Sequence, residues 1–324
     1  MEPTSNKIIS VSHRKKPSLP CPQCKANPSV ICYGFQENGL QRYICKSCKA
    51  TFNTKTGTPF ARLRTAIGKV VQCVTALVEN QGLRNASRTF NVKRRELVNW
   101  MQRAGDHCRR VLDAKIKVTK PTFLEFDELY TYVHARAFLH YTWTCVDAVS
   151  KTWLGFHLSF ERSFEEAKTF FKTFEKRVST IAGASSDGLP QYAELMAKRH
   201  ASVPFAQIVK KHEGRRLVEV IKKQVGPHTV ADVEFVITKL GLGTELNTSA
   251  VERLNATLRS YLARLNRRTL KFSKHVGNLK ALMFVFQAYY NFCLKQDELG
   301  TTPAVAAGVS PRLLSLRQVL TGRV

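Results

Sequence analysis

Two short cysteine pairs, Cys21-Pro22-Gln23-Cys24 and Cys45-Lys46-Ser47-Cys48, constrain the first part of this chain more than any other feature. Each Cys-x-x-Cys makes a tight turn that aims two thiolates at one point, and twenty residues separate the pairs. That spacing suits a structural Zn²⁺ site, in which two turns complete a tetrahedron. The intervening ICYGFQENGLQRYIC reads as a hairpin turning near Glu37-Asn38-Gly39. A zinc ribbon is therefore expected over residues 21–58, closed by four thiolates and so structural rather than catalytic. Lys25, Arg42, Lys46 and Lys49 lie on it, and Cys32 is left over for its core.

The charge sets the class of partner. Lys and Arg number 51 against 24 Asp and Glu, a formal net charge of +27 spread along 324 residues. Such self-repulsion in a compact protein points to a polyanion, nucleic acid ahead of an anionic membrane. The hydrophobic content of 44% is ordinary and supports two or three domains with at least one sizeable core. No apolar run approaches the roughly 20 residues of a spanning helix. The basic, proline-containing residues 1–20 read as a flexible lead without the apolar stretch of a signal peptide. The expectation is a soluble protein in a reducing compartment, where nine cysteines suggest metal binding over disulfides.

Residues 62–112 read as helical. Ile67, Val70, Val71, Val74 and Leu77 mark one helix, and LRNASRTFNV and KRRELVNWMQRA two shorter ones around a turn at Asn91-Val92. A helix-turn-helix would aim Lys93, Arg94, Arg95 and Asn99 at a major groove; an ordinary helical hairpin has the same pattern. Residues 113–121 read as a linker ending at Pro121.

The composition then changes. TFLEFDELYTYV, AFLHYTWTCVDAV and TWLGFHLSF read as strands, SFEEAKTFFKTFEKRV as a helix capped by Ser163, VSTIAGASS as a fourth strand and LPQYAELMAKRH as a helix. Two hairpins followed by a helical crossover is the order of the ribonuclease-H-like fold. Residues 205–246 look like an insertion: PFAQIVKK suits a fifth strand, HEGRRLVEVIKKQV a helix. One amphipathic helix is expected over Leu246–Lys274, then another over residues 276–294 and an ordered tail at 296–324.

Three acids stand out in this second half. Asp127 lies mid-strand, where apolar residues are the rule. Asp187 ends a strand, though Asp187-Gly188 also suits a plain turn. Glu252 is alone among cations; it suits a metal ligand facing a polyanion, or equally the capping box Ser249-x-x-Glu252. Converged, the three could hold two Mg²⁺ ions about 4 Å apart. Glu128 should point to the opposite sheet face from Asp127, and Asp147 suits an exposed turn.

QRYICKSC with FNTKTGTP, LEFDELYTYV, SSDG and VERLNATLR with RLNRRTLKFSK together resemble the transposases of the IS1 family of insertion sequences, and more broadly DDE transposases. The resemblance spans most of the chain. It implies a multidomain protein: zinc ribbon, α-helical helix-turn-helix, then an α/β ribonuclease-H-like catalytic domain over 122–295. It implies Asp127, Asp187 and Glu252 as catalytic triad with Mg²⁺ or Mn²⁺. Asn255 and Arg259 would support the site or the DNA end, and Arg264, Arg267, Arg268 and Lys271 would lead the DNA backbone toward it. The implied activity is hydrolysis and transesterification of double-stranded DNA, transposon ends and target, by a homodimer or larger assembly at the nucleoid of a prokaryotic cytoplasm. One continuous reading frame, a long stretch between Asp187 and Glu252 and an extended tail depart from the family. A non-catalytic DNA-binding regulator and a structured-RNA nuclease are the rival readings.

Overall fold

The computed structural model describes residues 19–26, 29–37, 39–214, 216–266 and 269–322. The chain divides into two compact units, one ending at Leu63 and the other spanning Arg64–Gly322.

In the first unit, strands β1 (Val30–Phe35), β2 (Gln41–Cys45) and β3 (Thr51–Asn53) form an antiparallel sheet. The two cysteine turns are built alike. Lys25 N–H bonds Cys21 C=O at 2.9 Å, and Lys49 N–H bonds Cys45 C=O at 2.8 Å. Both lysines take the left-handed conformation, φ 60° and 62°, which closes each turn. Cys21, Val30, Cys45 and Phe52 form the small core, with Tyr43 packed against it. A core this small relies on cross-links for stability.

The second unit opens with helices α1 (Ile67–Val78), α2 (Leu83–Thr89) and α3 (Arg94–Lys115). The turn between α2 and α3 uses Asn91 at φ 47°. Leu97, Trp100 and Met101 of α3 are buried while Lys93, Arg94, Arg95 and Asn99 are exposed. α3 runs on into the expected linker, because Ala104, Cys108, Val111 and Leu112 continue its buried stripe. The three helices belong to the same compact unit as the sheet that follows.

That sheet contains β4 (Thr122–Val133), β5 (Ala135–Asp147), β6 (Trp153–Ser159), β7 (Ile181–Asp187), β8 (Phe205–Glu213) and β9 (Arg216–Val225). Among the described residues its order is β6-β5-β4-β7-β8-β9. β4 pairs parallel with β7 and β7 with β8; the other pairings are antiparallel. Helices α4 (Phe164–Glu175) and α5 (Pro190–Arg199) cover one face over an aromatic cluster of Phe126, Trp143, Phe170, Phe171, Phe174 and Tyr192. Ser163 caps α4, accepting the Glu166 N–H. Helix α6 (Val230–Lys239) packs near β7, since Val236 and Phe123 crowd Gly183. Helix α7 (Ser249–Tyr261) lies on β4 and β5. Helix α8 (Val276–Phe292) packs along α3 and over Trp153. Two short helices, α9 (Pro303–Ala306) and α10 (Leu316–Thr321), close the chain. The tail is an ordered cap: Val319 and Leu320 are buried, and Val319 C=O meets His107 Nε2 at 3.1 Å.

Residues 216–225 correct the helical expectation. They turn back at Gly214, φ 60°, and pair along β8, so the stretch read as an insertion extends the main sheet. The helix expected over Leu246–Lys274 ends at Tyr261. Asp147 is buried, not exposed: its Oδ1 accepts the Phe123 N–H at 3.2 Å and its Oδ2 the Ser150 N–H at 3.1 Å, fixing the β5–β6 turn. No helix among the described residues is long and apolar enough to cross a membrane.

Candidate metal centres

The four cysteine thiols come together in the first unit. Cys21 Sγ lies 3.5 Å from Cys48 Sγ, and Cys24 Sγ 3.6 Å from Cys45 Sγ. Four sulfurs around Zn²⁺ at bond lengths of about 2.3 Å would sit about 3.8 Å apart, so the donor set fits that ion. The backbone N–H of Cys48 and the thiol of Cys24 help hold the Cys45 thiol down at about 6, while, against the Ala26 N–H, the Cys48 and Cys45 sulfurs push Cys24 up to about 12; a cation among the four would relieve that competition.

The second cluster forms where β7 ends beside β4. The parallel register sets Phe126 against Ser186, so Asp127 and Asp187 stand side by side on neighbouring strands. Carboxylate oxygens of Asp127, Glu128 and Asp187 all lie within 4.8 Å of one another. Glu128 was expected on the far face, and it does leave β4 on the side of Tyr192. Past the end of β7 no strand separates the two faces, so Asp127 from one side and Glu128 from the other both reach Asp187.

The hydrogen bonds hold this geometry. Asp127 Oδ2 accepts Asn255 Nδ2 at 2.7 Å, and its Oδ1 accepts the Glu128 N–H at 2.8 Å. Thr144 Oγ1 donates to the Asp127 carbonyl at 3.0 Å and lies 3.3 Å from Asn255 Oδ1. Asp187 Oδ1 accepts the Leu189 N–H at 3.2 Å. Burial and the neighbouring Asp187 raise Asp127 to about 6. Burial, then Asp187, raise Glu128 to about 8, and burial raises Asp187 as well. Three carboxyls pushed toward their neutral forms by burial, two of them also by neighbouring carboxylates, are a site that a divalent cation would relieve. Hard oxygen donors suit Mg²⁺ or Mn²⁺.

Glu252 lines the same cavity of about 460 Å³ as Asp127 and Asp187, together with Arg162 and Lys210. It is not one of the three clustered carboxylates. Its Oε1 pairs with Lys210 Nζ and accepts Thr248 Oγ1 at 3.1 Å. The capping-box reading is corrected here. Thr248, not Ser249, is the N-cap of α7, and no side chain of that residue caps the helix. Asn247 Oδ1 accepts the Ser249 N–H at 3.0 Å, and from β4 Glu125 Oε2 accepts the Val251 N–H at 2.9 Å.

The remaining expected residues separate by burial. Asn255 is buried on Asp127, Arg259 is half-buried and Lys271 exposed. Arg264 departs from its expected place on a DNA path. It is 6% exposed, with Nη1 3.3 Å from Ser273 Oγ and Nη2 3.8 Å from Met101 Sδ, so it braces the segment after α7. Arg267 and Arg268 lie outside the described residues. Arg162, Lys210, Glu125 and Glu128 are contributors that sequence reasoning did not assign. Glu125 and Glu128, acids in the same apolar strand as Asp127, left a trace in the sequence; Arg162 and Lys210 left none.

No protein-family model matches the chain. Over 112 residues the chain is 35% identical to a protein of Halobacterium salinarum described as an uncharacterized protein in transposable element ISH50. The match covers 34% of this chain and 35% of that protein, so the chain spans about a third of the curated relative's length. The chain is thus similar to a protein of a mobile element, and it carries a four-thiol cluster and an acidic cluster in an α/β setting.

Proposed function

We propose that this protein is a DDE-type DNA transposase, with Asp127, Asp187 and Glu252 as its acids. The observation that carries the reading is one cavity lined by all three, two from adjacent parallel strands and one from a helix laid across them. The strand order β6-β5-β4-β7-β8, parallel only at β4, β7 and β8, agrees with a ribonuclease-H-like sheet extended by β9. The similarity to a transposable-element protein supports the biological class.

Asp127 and Asp187 would hold a divalent cation, with Glu128 against them and Glu252 across the cavity. When bound, such ions activate a water or a 3′-hydroxyl and stabilise the leaving oxygen in phosphodiester displacement. Asn255 orients Asp127 and favours its ionised form against the burial that raises it, by donating to its Oδ2. Lys210 and Arg162 bring positive charge to the same cavity, where a phosphate of the DNA would lie. Arg162 is steadied by stacking on Tyr141, 4.9 Å from its ring centre. Lys93, Arg94, Arg95 and Asn99, exposed at the start of α3, are the residues for a major groove in a helix-turn-helix mode. The four-thiol unit would hold Zn²⁺ and add phosphate contacts. Two DNA ends must be held together for joining, so a homodimer or larger assembly on DNA belongs to the reading.

The test is Asp127→Asn in the full chain. It keeps an acceptor oxygen for Asn255. Binding to an end-bearing duplex is expected to persist while Mg²⁺-dependent cleavage is lost. Cleavage at the wild-type rate would overturn the assignment.

A further inference from the structure

Glu125 is a carboxylate in the middle of a central strand, 3% exposed, and nothing in the chemistry above uses it. It stands two residues before Asp127, on the same face of β4. Its Oε2 accepts the Val251 N–H at 2.9 Å, and the Ala250 N–H also faces it. One turn further along α7, Asn255 donates to Asp127 Oδ2 at 2.7 Å. Helix and strand are thus joined by two rungs, Glu125 to Val251 and Asp127 to Asn255. The spacing matches: four helical residues rise about 6 Å and two strand residues about 6.6 Å. Thr144 of β5 ties the second rung to the sheet, its hydroxyl shared between the Asp127 carbonyl and Asn255 Oδ1.

A local N-cap would satisfy the first N–H groups of α7 without burying a charge. Thr248 sits at that position and does not cap. Asn247 Oδ1 accepts the Ser249 N–H at 3.0 Å, but the Val251 N–H is capped from the strand, at the cost of a buried carboxylate. What a strand-borne cap does, and a local one cannot, is fix where the helix sits along β4. Glu252 follows Val251 directly, so the register set by the first rung is the register that delivers Glu252 to the cavity.

We propose that Glu125 is a positioning residue: by capping α7 from β4 it holds the helix at the register where Glu252 shares a cavity with Asp127 and Asp187. The inference rests on the reading of that cavity as a divalent-metal site.

The experiment is a double-mutant cycle on metal affinity. Full-length protein, its four-thiol site saturated with Zn²⁺, is titrated with Mn²⁺ by calorimetry as wild type, Glu125→Ala, Glu252→Ala and the double variant. Far-UV circular dichroism checks each fold. Loss of an outer contact to a metal site weakens binding by roughly 10- to 100-fold, and that is the loss expected for Glu125→Ala. In the Glu252→Ala background the same substitution should add nothing, because Glu125 acts through Glu252. Glu125→Gln, which keeps an acceptor oxygen, should restore affinity. Should Glu125→Ala not fold, the cycle runs with Glu125→Asp, which withdraws the carboxylate by about 1.5 Å. Wild-type affinity in the Glu125 variant, or an equal further loss without Glu252, overturns the proposal. Failure of the wild type itself to bind Mn²⁺ overturns the metal reading, a separable result.

Discussion

Glu128 carries the clearest consequence at the scale of single residues. In the metal-free protein it is raised to about 8 from an ordinary value of 4.5, by burial and by Asp187 and Asp127. Between those two values the unfolded chain releases its proton and the folded one retains it. The folded state binds more protons there, so stability falls as pH rises through the window. Urea midpoints of metal-free protein should therefore drop from pH 5 to pH 8, and the drop should shrink in Glu128→Gln. An unchanged drop would mean that Glu128 is not the group responsible. A second residue-scale case lies at β6. Asn291 Oδ1 accepts the Trp153 N–H at 2.9 Å, and its Nδ2 donates to Trp153 C=O at 3.0 Å. Asn291→Leu strands that buried N–H, costing about 1–3 kcal/mol in a denaturant melt. Asp127 was legible in the sequence because an acid in an apolar strand is anomalous by itself. Asn291 was not, because one amide in an apolar helix gives no sign of the backbone it will meet.

Among the elements, the crossing of α3 and α8 decides how the helical segment is held. Gly105 lets the helices touch: a Cβ there would lie 2.6 Å from the Ala281 carbonyl oxygen. Gly→Ala in a helix ordinarily gains up to about 1 kcal/mol. Here the obstacle is backbone, which cannot swing aside, and overpacking of about 1–3 kcal/mol should dominate. Gly105→Ala is thus expected to lower the urea midpoint; a rise would show that the crossing relaxes at little cost. β9 marks the limit of element reading. Its stretch has apolar residues at both helical and strand spacings, and as an edge strand it leaves Val218 and Val220 about half exposed, 52% and 49%. A half-buried edge lacks the clean alternation that marks a strand, and only pairing with β8 settled its conformation.

The whole molecule comprises two compact units with different sources of stability. The first has a core of a few side chains around four thiols. The second buries a large aromatic and aliphatic core. Chelation of zinc should unfold the first unit and leave the cooperative melt of the second in place, read by limited proteolysis alongside circular dichroism. A single melt abolished by the chelator would contradict this. The net charge of +27 makes a prediction at the same scale. If six or more phosphates are contacted, duplex affinity should fall by about a thousandfold or more between about 50 and 200 mM salt. A flat salt dependence would remove nucleic acid as the partner the charge serves.

The sequence by itself determined what local chemistry specifies: the cysteine turns, the strands β4 to β7, the capped helix α4 and the anomalous acids at 127, 187 and 252. These rest on spacing, periodicity and turn residues, which act over a few positions. The tertiary structure decided which groups converge. It brought Glu128 around the end of β7, paired Glu252 with Lys210, buried Arg264 under α3, and capped Val251 of α7 with Glu125 from β4. Each of these depends on register between elements distant in the chain. No local pattern encodes where one element stops alongside another, and at this site the end of β7 beside β4 sets the chemistry.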